Sequence, residues 1–172
     1  MNVSYFGLIF YKKSPRNINI KDAIALINKN KNKSIPVGVF VNHELCDLNE
    51  LIKFTNLKYI QLHGNESPKY CSQVKLPVIK VFRVDDDFDP KVINHYSVHA
   101  FLFDAYKKGC YGGTGNTFNW ELISNLETET PIIISGGLNA KNIIDSIKIV
   151  SPNAIDINSG IESEPGVKNK KK

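Results

Sequence analysis

Gln61 and His63 stand two residues apart in Tyr59-Ile60-Gln61-Leu62-His63-Gly64, at the close of an apolar run, so an extended chain presents both on one face. Asp104 closes a second run, Phe101-Leu102-Phe103-Asp104, and Asp156 is set into Ile155-Asp156-Ile157-Asn158-Ser159-Gly160. An imidazole, an amide and two carboxyls are groups that move protons and orient hydroxyls. Any one of them alone at a strand end reads more readily as a loop cap or a satisfied buried group. Four on three strands point to a site. Arg16 follows a further run and is one of two arginines, against 20 lysines. Its guanidinium fork suits a carboxylate, which it grips through two parallel hydrogen bonds; the alternative is a solvated loop charge.

Glycine clusters supply an independent signal: Gly112-Gly113-Thr114-Gly115, Ser135-Gly136-Gly137 and Asn158-Ser159-Gly160. Without a Cβ, backbone N–H groups can approach and surround an anion. One cluster alone would be turn chemistry. Two clusters directly after the last two expected strands predict a phosphate cradle made by Gly136, Gly137, Asn158, Ser159 and Gly160, and hence a small phosphorylated ligand.

The elements that must carry these groups are visible as periods. Seven short apolar, β-branched or aromatic runs read as strands: 5–10, 36–41, 59–63, 77–83, 100–104, 131–135 and 154–158. Helical spacing lies between them. Ile20, Ala23, Ile24 and Ile27 follow Asn19 as N-cap with Asp22 three residues on; Leu48, Leu51 and Ile52 follow Asp47; Ile143, Ile144 and Ile147 follow the turn at Asn139. Strands apolar on both faces and separated by helices make a parallel sheet, in an α/β chain read as one domain over 1–172. Local pattern leaves a closed barrel and an open doubly wound sheet both possible, although no Gly-x-Gly-x-x-Gly follows the first strand. In either, polar groups at the carboxyl ends of strands form the site.

Composition narrows the classes. With 42% hydrophobic and 23% charged residues, the chain reads as an ordinary soluble protein. No apolar run approaches a membrane span, and the region around Met1 lacks signal-peptide features, so a cytoplasmic location and no membrane partner are expected. Cys46, Cys71 and Cys110 are too widely spaced for a disulfide framework or a zinc site, and are expected as free thiols; neither metal nor cofactor is implied. The net charge of +5 owes much to Lys168 and Lys170 to Lys172, expected as a solvated tail rather than a nucleic-acid surface. Oligomeric state is not legible.

Taken in order, Gly7-Leu8-Ile9-Phe10-Tyr11 with Lys13-Ser14-Pro15-Arg16, Val37-Gly38-Val39-Phe40-Val41-Asn42 and Gln61-Leu62-His63-Gly64 with Glu66 resemble phosphoribosylanthranilate isomerase. So do Phe103-Asp104, Gly112-Gly113-Thr114-Gly115 with Phe118 and Trp120, Ser135-Gly136-Gly137-Leu138-Asn139, Asp156, Ser159-Gly160-Ile161-Glu162 and Pro165-Gly166. The resemblance implies a (β/α)8 TIM barrel, here incomplete with about seven parallel strands, and an Amadori rearrangement of N-(5-phosphoribosyl)anthranilate in tryptophan biosynthesis. It implies Asp104 as general acid, Arg16 on the anthranilate carboxylate, Gln61 and His63 lining the pocket, Asp156 on the sugar hydroxyls and the glycine loops on the phosphate. The family opens with a strand reading Lys-Ile-Cys-Gly, whose cysteine is the general base, and closes with an apolar helix; neither is in this sequence. Cys110, in the loop after Asp104, has no spacing that makes it a replacement. Two alternatives stay open: a non-catalytic phosphosugar-binding remnant without a base, and another phosphate-binding barrel enzyme, which would share the glycine loops but not Gln61-Leu62-His63-Gly64.

Overall fold

Each of the seven apolar runs forms a strand in the computed structural model, which describes residues 3–30, 33–105 and 117–169. The chain divides into two units, Met1–Lys80 and Val81–Lys172, with one strand passing from the first into the second.

In the first unit, β1 (Tyr5–Ile9), β2 (Ile35–Phe40), β3 (Tyr59–Leu62) and the start of β4 (Val78–Val84) lie side by side in chain order, all parallel. Parallel neighbours require crossovers, and three helices supply them: α1 (Ile20–Asn30), α2 (Leu45–Phe54) and α3 (Pro68–Ser72). The expected start of α1 is present as a reciprocal pair. The Asp22 N–H donates to Asn19 Oδ1 at 2.9 Å, and Asn19 Nδ2 donates back to Asp22 Oδ2 at 2.7 Å. α2 begins earlier than expected, with Glu44 rather than Asp47 at the N-cap; Asp47 sits in the first turn, where its charge still meets the positive helix end. α3 is started by Ser67, whose Oγ accepts the Tyr70 N–H at 3.2 Å, with Pro68 in its first turn. The unit's core is aliphatic and aromatic: Leu8, Val37, Val39, Phe40, Ile60 and Leu62 are buried, and the rings of Phe10 and Phe40 stack at 5.0 Å.

In the second unit, β5 (Ala100–Ala105), β6 (Ile132–Ile134) and β7 (Ala154–Ile155) are again parallel and sequential. Every residue of β5 is buried, as a strand covered on both faces requires. Phe82 anchors an aromatic core, with its ring 5.7 Å from Phe101 and 5.9 Å from Phe103. Two crossovers are 3₁₀ turns, Pro90–His95 and Trp120–Ile123, and α4 (Ile143–Val150) leads into β7. Helical spacing in α4 did not identify its inner face. Ser146 and Val150 are the buried positions, while Ile144 and Ile147 are 58% and 41% exposed.

After β7 the chain closes with an antiparallel hairpin, β8 (Glu162–Glu164) and β9 (Val167–Lys168), turning at Pro165-Gly166. Lys168 is therefore not part of a solvated tail. Its ammonium binds Glu162 Oε1 at 3.1 Å and donates to Asn158 O at 3.1 Å, tying the hairpin to the loop that follows β7. Among the described residues, β1 pairs only with β2 and β7 only with β6, so each keeps an open edge. The architecture is α/β with seven parallel strands taken in chain order.

Candidate active site

Register brings three strand ends of the second unit into one row. Phe103 lies beside Ile134 and Ile134 beside Ile155, so the next residues, Asp104, Ser135 and Asp156, fall at one level and on one face. The backbone ladder continues through them: the Ser135 N–H donates to Phe103 O at 2.8 Å and the Asp156 N–H to Ile134 O at 2.9 Å. Ser135 Oγ then donates to Asp156 Oδ2 at 3.4 Å. Asp104 is 2% exposed, near the end of β5.

These three residues line an open depression together with Gly136, Gly137, Leu138, Asn158 and Ser159. The loop after β6 is fixed from behind, since Asn139 Nδ2 and Asn142 Nδ2 each donate to Gly137 O at 3.0 Å. Gly136 and Gly137 take left-handed φ values of 82° and 63°, which only glycine adopts without strain. Their backbone N–H groups donate to no other described residue. Gly160 sits where the loop after β7 meets the loop after β6; a Cβ there would stand 2.1 Å from Leu138 O.

The other expected residues belong to the first unit. Gln61 is buried in β3, and its Nε2 lies 3.4 Å from Nδ1 of His63, so the shared face read from their spacing is real. Arg16 is half-buried in the loop after β1, where its N–H donates to Ser14 Oγ at 3.1 Å. Gly112-Gly113-Thr114-Gly115 and Cys110 lie outside the described residues. Cys46 is exposed and Cys71 buried, both as free thiols.

Sequence reasoning missed two features. Ser135 was seen only as the opening of a glycine cluster, although its place beside Asp156 follows from the parallel register. The other is a buried ion pair, Lys80 with Glu66, at 2.9 Å. Its signal was available: Lys80 is a lone charge inside Val78-Ile79-Lys80-Val81-Phe82, and a buried charge demands a partner. No group of three or more His, Cys, Asp or Glu among the described residues is arranged to hold a metal ion, and no helix there is long and apolar enough to cross a membrane.

A family model described as N-(5'phosphoribosyl)anthranilate (PRA) isomerase matches residues 1–172. The N-(5'-phosphoribosyl)anthranilate isomerase of Syntrophus aciditrophicus is 41% identical over 167 residues, covering 96% of this chain and 73% of that protein. Among solved structures, phosphoribosyl anthranilate isomerase from Thermotoga maritima aligns with a TM-score of 0.84 at 31% identity, covering 96% of this chain and 82% of its own. A phosphoribosyl anthranilate isomerase in complex with reduced 1-(o-carboxyphenylamino)-1-deoxyribulose 5-phosphate aligns at 0.80 with 30% identity, over 96% of this chain and 81% of its own. A match over the whole sequence, together with parallel strands ending in a carboxyl row beside glycine loops, identifies the chain as a member of the N-(5'-phosphoribosyl)anthranilate isomerase family.

Proposed function

We propose that this chain serves the Amadori rearrangement of N-(5-phosphoribosyl)anthranilate to 1-(2-carboxyphenylamino)-1-deoxyribulose 5-phosphate, the isomerase step of tryptophan biosynthesis, and supplies its general acid and substrate-binding groups. The observation that carries the reading is the row Asp104, Ser135 and Asp156 opening onto Gly136 and Gly137, in a chain of this family. A buried carboxyl, a second carboxyl and amide donors within one depression suit a sugar phosphate whose ring must be opened by a proton.

In this mechanism Asp104 gives a proton to the ribose ring oxygen as the C1′–O bond breaks, and the anilino nitrogen lone pair forms the Schiff base. A base then takes the C2′ proton; its electron pair makes the C1′–C2′ double bond of the enolamine, which tautomerises to the aminoketose. No other reactant is consumed. Asp156, steadied by Ser135, receives the sugar hydroxyls. The N–H groups of Gly136, Gly137, Asn158, Ser159 and Gly160 hold the phosphate, and the lack of a Cβ at Gly160 also permits the close approach of the two loops. Arg16 takes the anthranilate carboxylate, and Gln61 and His63 line the substrate pocket. The family's base is the cysteine of Lys-Ile-Cys-Gly, a segment that does not occur in these 172 residues. A cytoplasmic site of action fits a small-molecule biosynthetic step.

Titration with the reduced product analogue tests the reading. Saturable binding that inorganic phosphate competes away is expected, and Gly136→Ala should weaken it. Binding indifferent to phosphate would remove the cradle from the account.

A further inference from the structure

The ion pair between Lys80 and Glu66 is nearly sealed from solvent, the two side chains being 3% and 1% exposed. A pair of apolar side chains of similar size would serve stability at least as well, so burial alone gives no reason for two charges here. Their hydrogen bonds do give one. Lys80 Nζ donates to Gly64 O at 2.8 Å and Leu62 O at 3.4 Å, the carbonyls on either side of His63. Glu66 accepts the Gly64 N–H at 3.0 Å and, through its other oxygen, the Asn42 N–H at 2.8 Å. Asn42 holds a left-handed φ of 47° and accepts the Asn65 N–H at 2.7 Å. The His63 N–H is itself given to Phe40 O at 2.8 Å. These bonds end on backbone at the close of β3 and in the turns following β2 and β3, and they bracket His63.

We propose that Lys80 and Glu66 are positioning residues, which lock the backbone from Leu62 to Gly64 so that Gln61 and His63 meet the substrate in one fixed geometry. The proposal rests on the reading above that these two side chains face the substrate. Neither charge touches the reacting atoms. Their contribution is the precision of a wall, and misplacing such a group by about 1 Å can cost on the order of 100-fold.

Removing one charge would strand the other in the core and could simply unfold the chain. The informative variant is Lys80→Met/Glu66→Leu, which restores an apolar filling but leaves the Gly64 and Asn42 N–H groups without their acceptor. Three readouts are taken on it: thermal melting, affinity for the reduced product analogue beside inorganic phosphate, and the imidazole nitrogen shifts of His63 by NMR. The expected result is a melting temperature near that of the parent, analogue affinity lower by about 10- to 100-fold, unchanged phosphate affinity and displaced His63 signals. Parent-like analogue affinity with undisturbed His63 signals would overturn the proposal. Should the parent fail to bind the analogue, the functional reading falls, and the His63 shifts still decide the pair: unchanged signals overturn it. If the double variant does not fold, Lys80→Met/Glu66→Gln, which removes both charges but retains an acceptor oxygen for the Gly64 and Asn42 N–H groups, is judged by the same shifts: displaced His63 signals are expected from the lost bond to Gly64 O, and undisturbed signals would overturn the proposal.

Discussion

Gly136→Ala separates close approach from backbone strain at the phosphate loop. Gly136 has φ 82°, so alanine there pays roughly 1–2 kcal/mol for a left-handed conformation. A second cost is local. The added Cβ would stand 2.4 Å from the Ala105 backbone nitrogen and 2.7 Å from Asp104 Oδ1, where ordinary contact begins at 3.4 Å. Ala105 is buried backbone at the end of β5 and cannot yield, so the loop carrying the Gly136 and Gly137 N–H groups must retreat by about 1 Å. A displacement of that size, of donors that must converge on one anion, should weaken the analogue about 100-fold. Gly166→Ala is the control. Its φ is 89°, but nothing lies within 4 Å of its would-be Cβ, so it carries the strain without the clash. Calorimetric titration with the analogue and with inorganic phosphate, beside thermal melting, gives both quantities. Both variants should melt lower, and only Gly136→Ala should lose affinity for both ligands. Equal affinities in the two variants would refute the argument that this loop holds the phosphate.

Arg16→Lys should weaken the carboxylate-bearing analogue about tenfold, because the paired hydrogen bonds of the fork are lost, while inorganic phosphate binds as before; titration of both ligands checks it, and a parallel loss for phosphate would count against the assignment. Burial pushes the Cys71 thiol up from 9.0 to about 11, with the Lys80 ammonium opposing the shift. The unfolded chain therefore releases this proton near pH 9 and the folded chain only near 11, so stability falls as pH rises through that window and levels off above it. Urea melts at pH 8 to 11 should show the fall, and Cys71→Ala should reduce it; an unchanged slope would mean the thiol is not its source.

The strands were legible because parallel strands are buried on both faces, which leaves continuous runs such as Phe101-Leu102-Phe103 that no surface helix shows. Asn19 and Asp22 announced α1 because a capping pair is local. The site's polar row was legible in part, since Asp104 and Asp156 each end an apolar run. Ser135 joins them only through register, which no single segment states. The start of α2 was misplaced because Glu44 caps through backbone geometry alone, without the side-chain bond that marks Ser, Thr, Asp or Asn. The outward turn of Ile144 and Ile147 was hidden for a related reason: periodicity gives an apolar stripe but not what covers it. The hairpin at Pro165-Gly166 could have been read, as this dipeptide suits a turn with positive φ at its second residue, and Gly166 has φ 89°. Lys80 could be flagged but not paired, because Glu66 lies 14 residues away and only folding brings them together.

Whether Asp104 supplies the proton that opens a phosphorylated ribosyl amine is decided by turnover. Residues 1–172 are joined to an N-terminal β/α unit bearing Lys-Ile-Cys-Gly, and the fluorescence of N-(5-phosphoribosyl)anthranilate is followed with and without Asp104→Asn. Turnover is expected from the joined protein and a loss of about 10²- to 10⁴-fold in the variant, with analogue affinity largely kept. A joined protein that binds the analogue yet turns over equally well with asparagine at position 104 would contradict that role for Asp104.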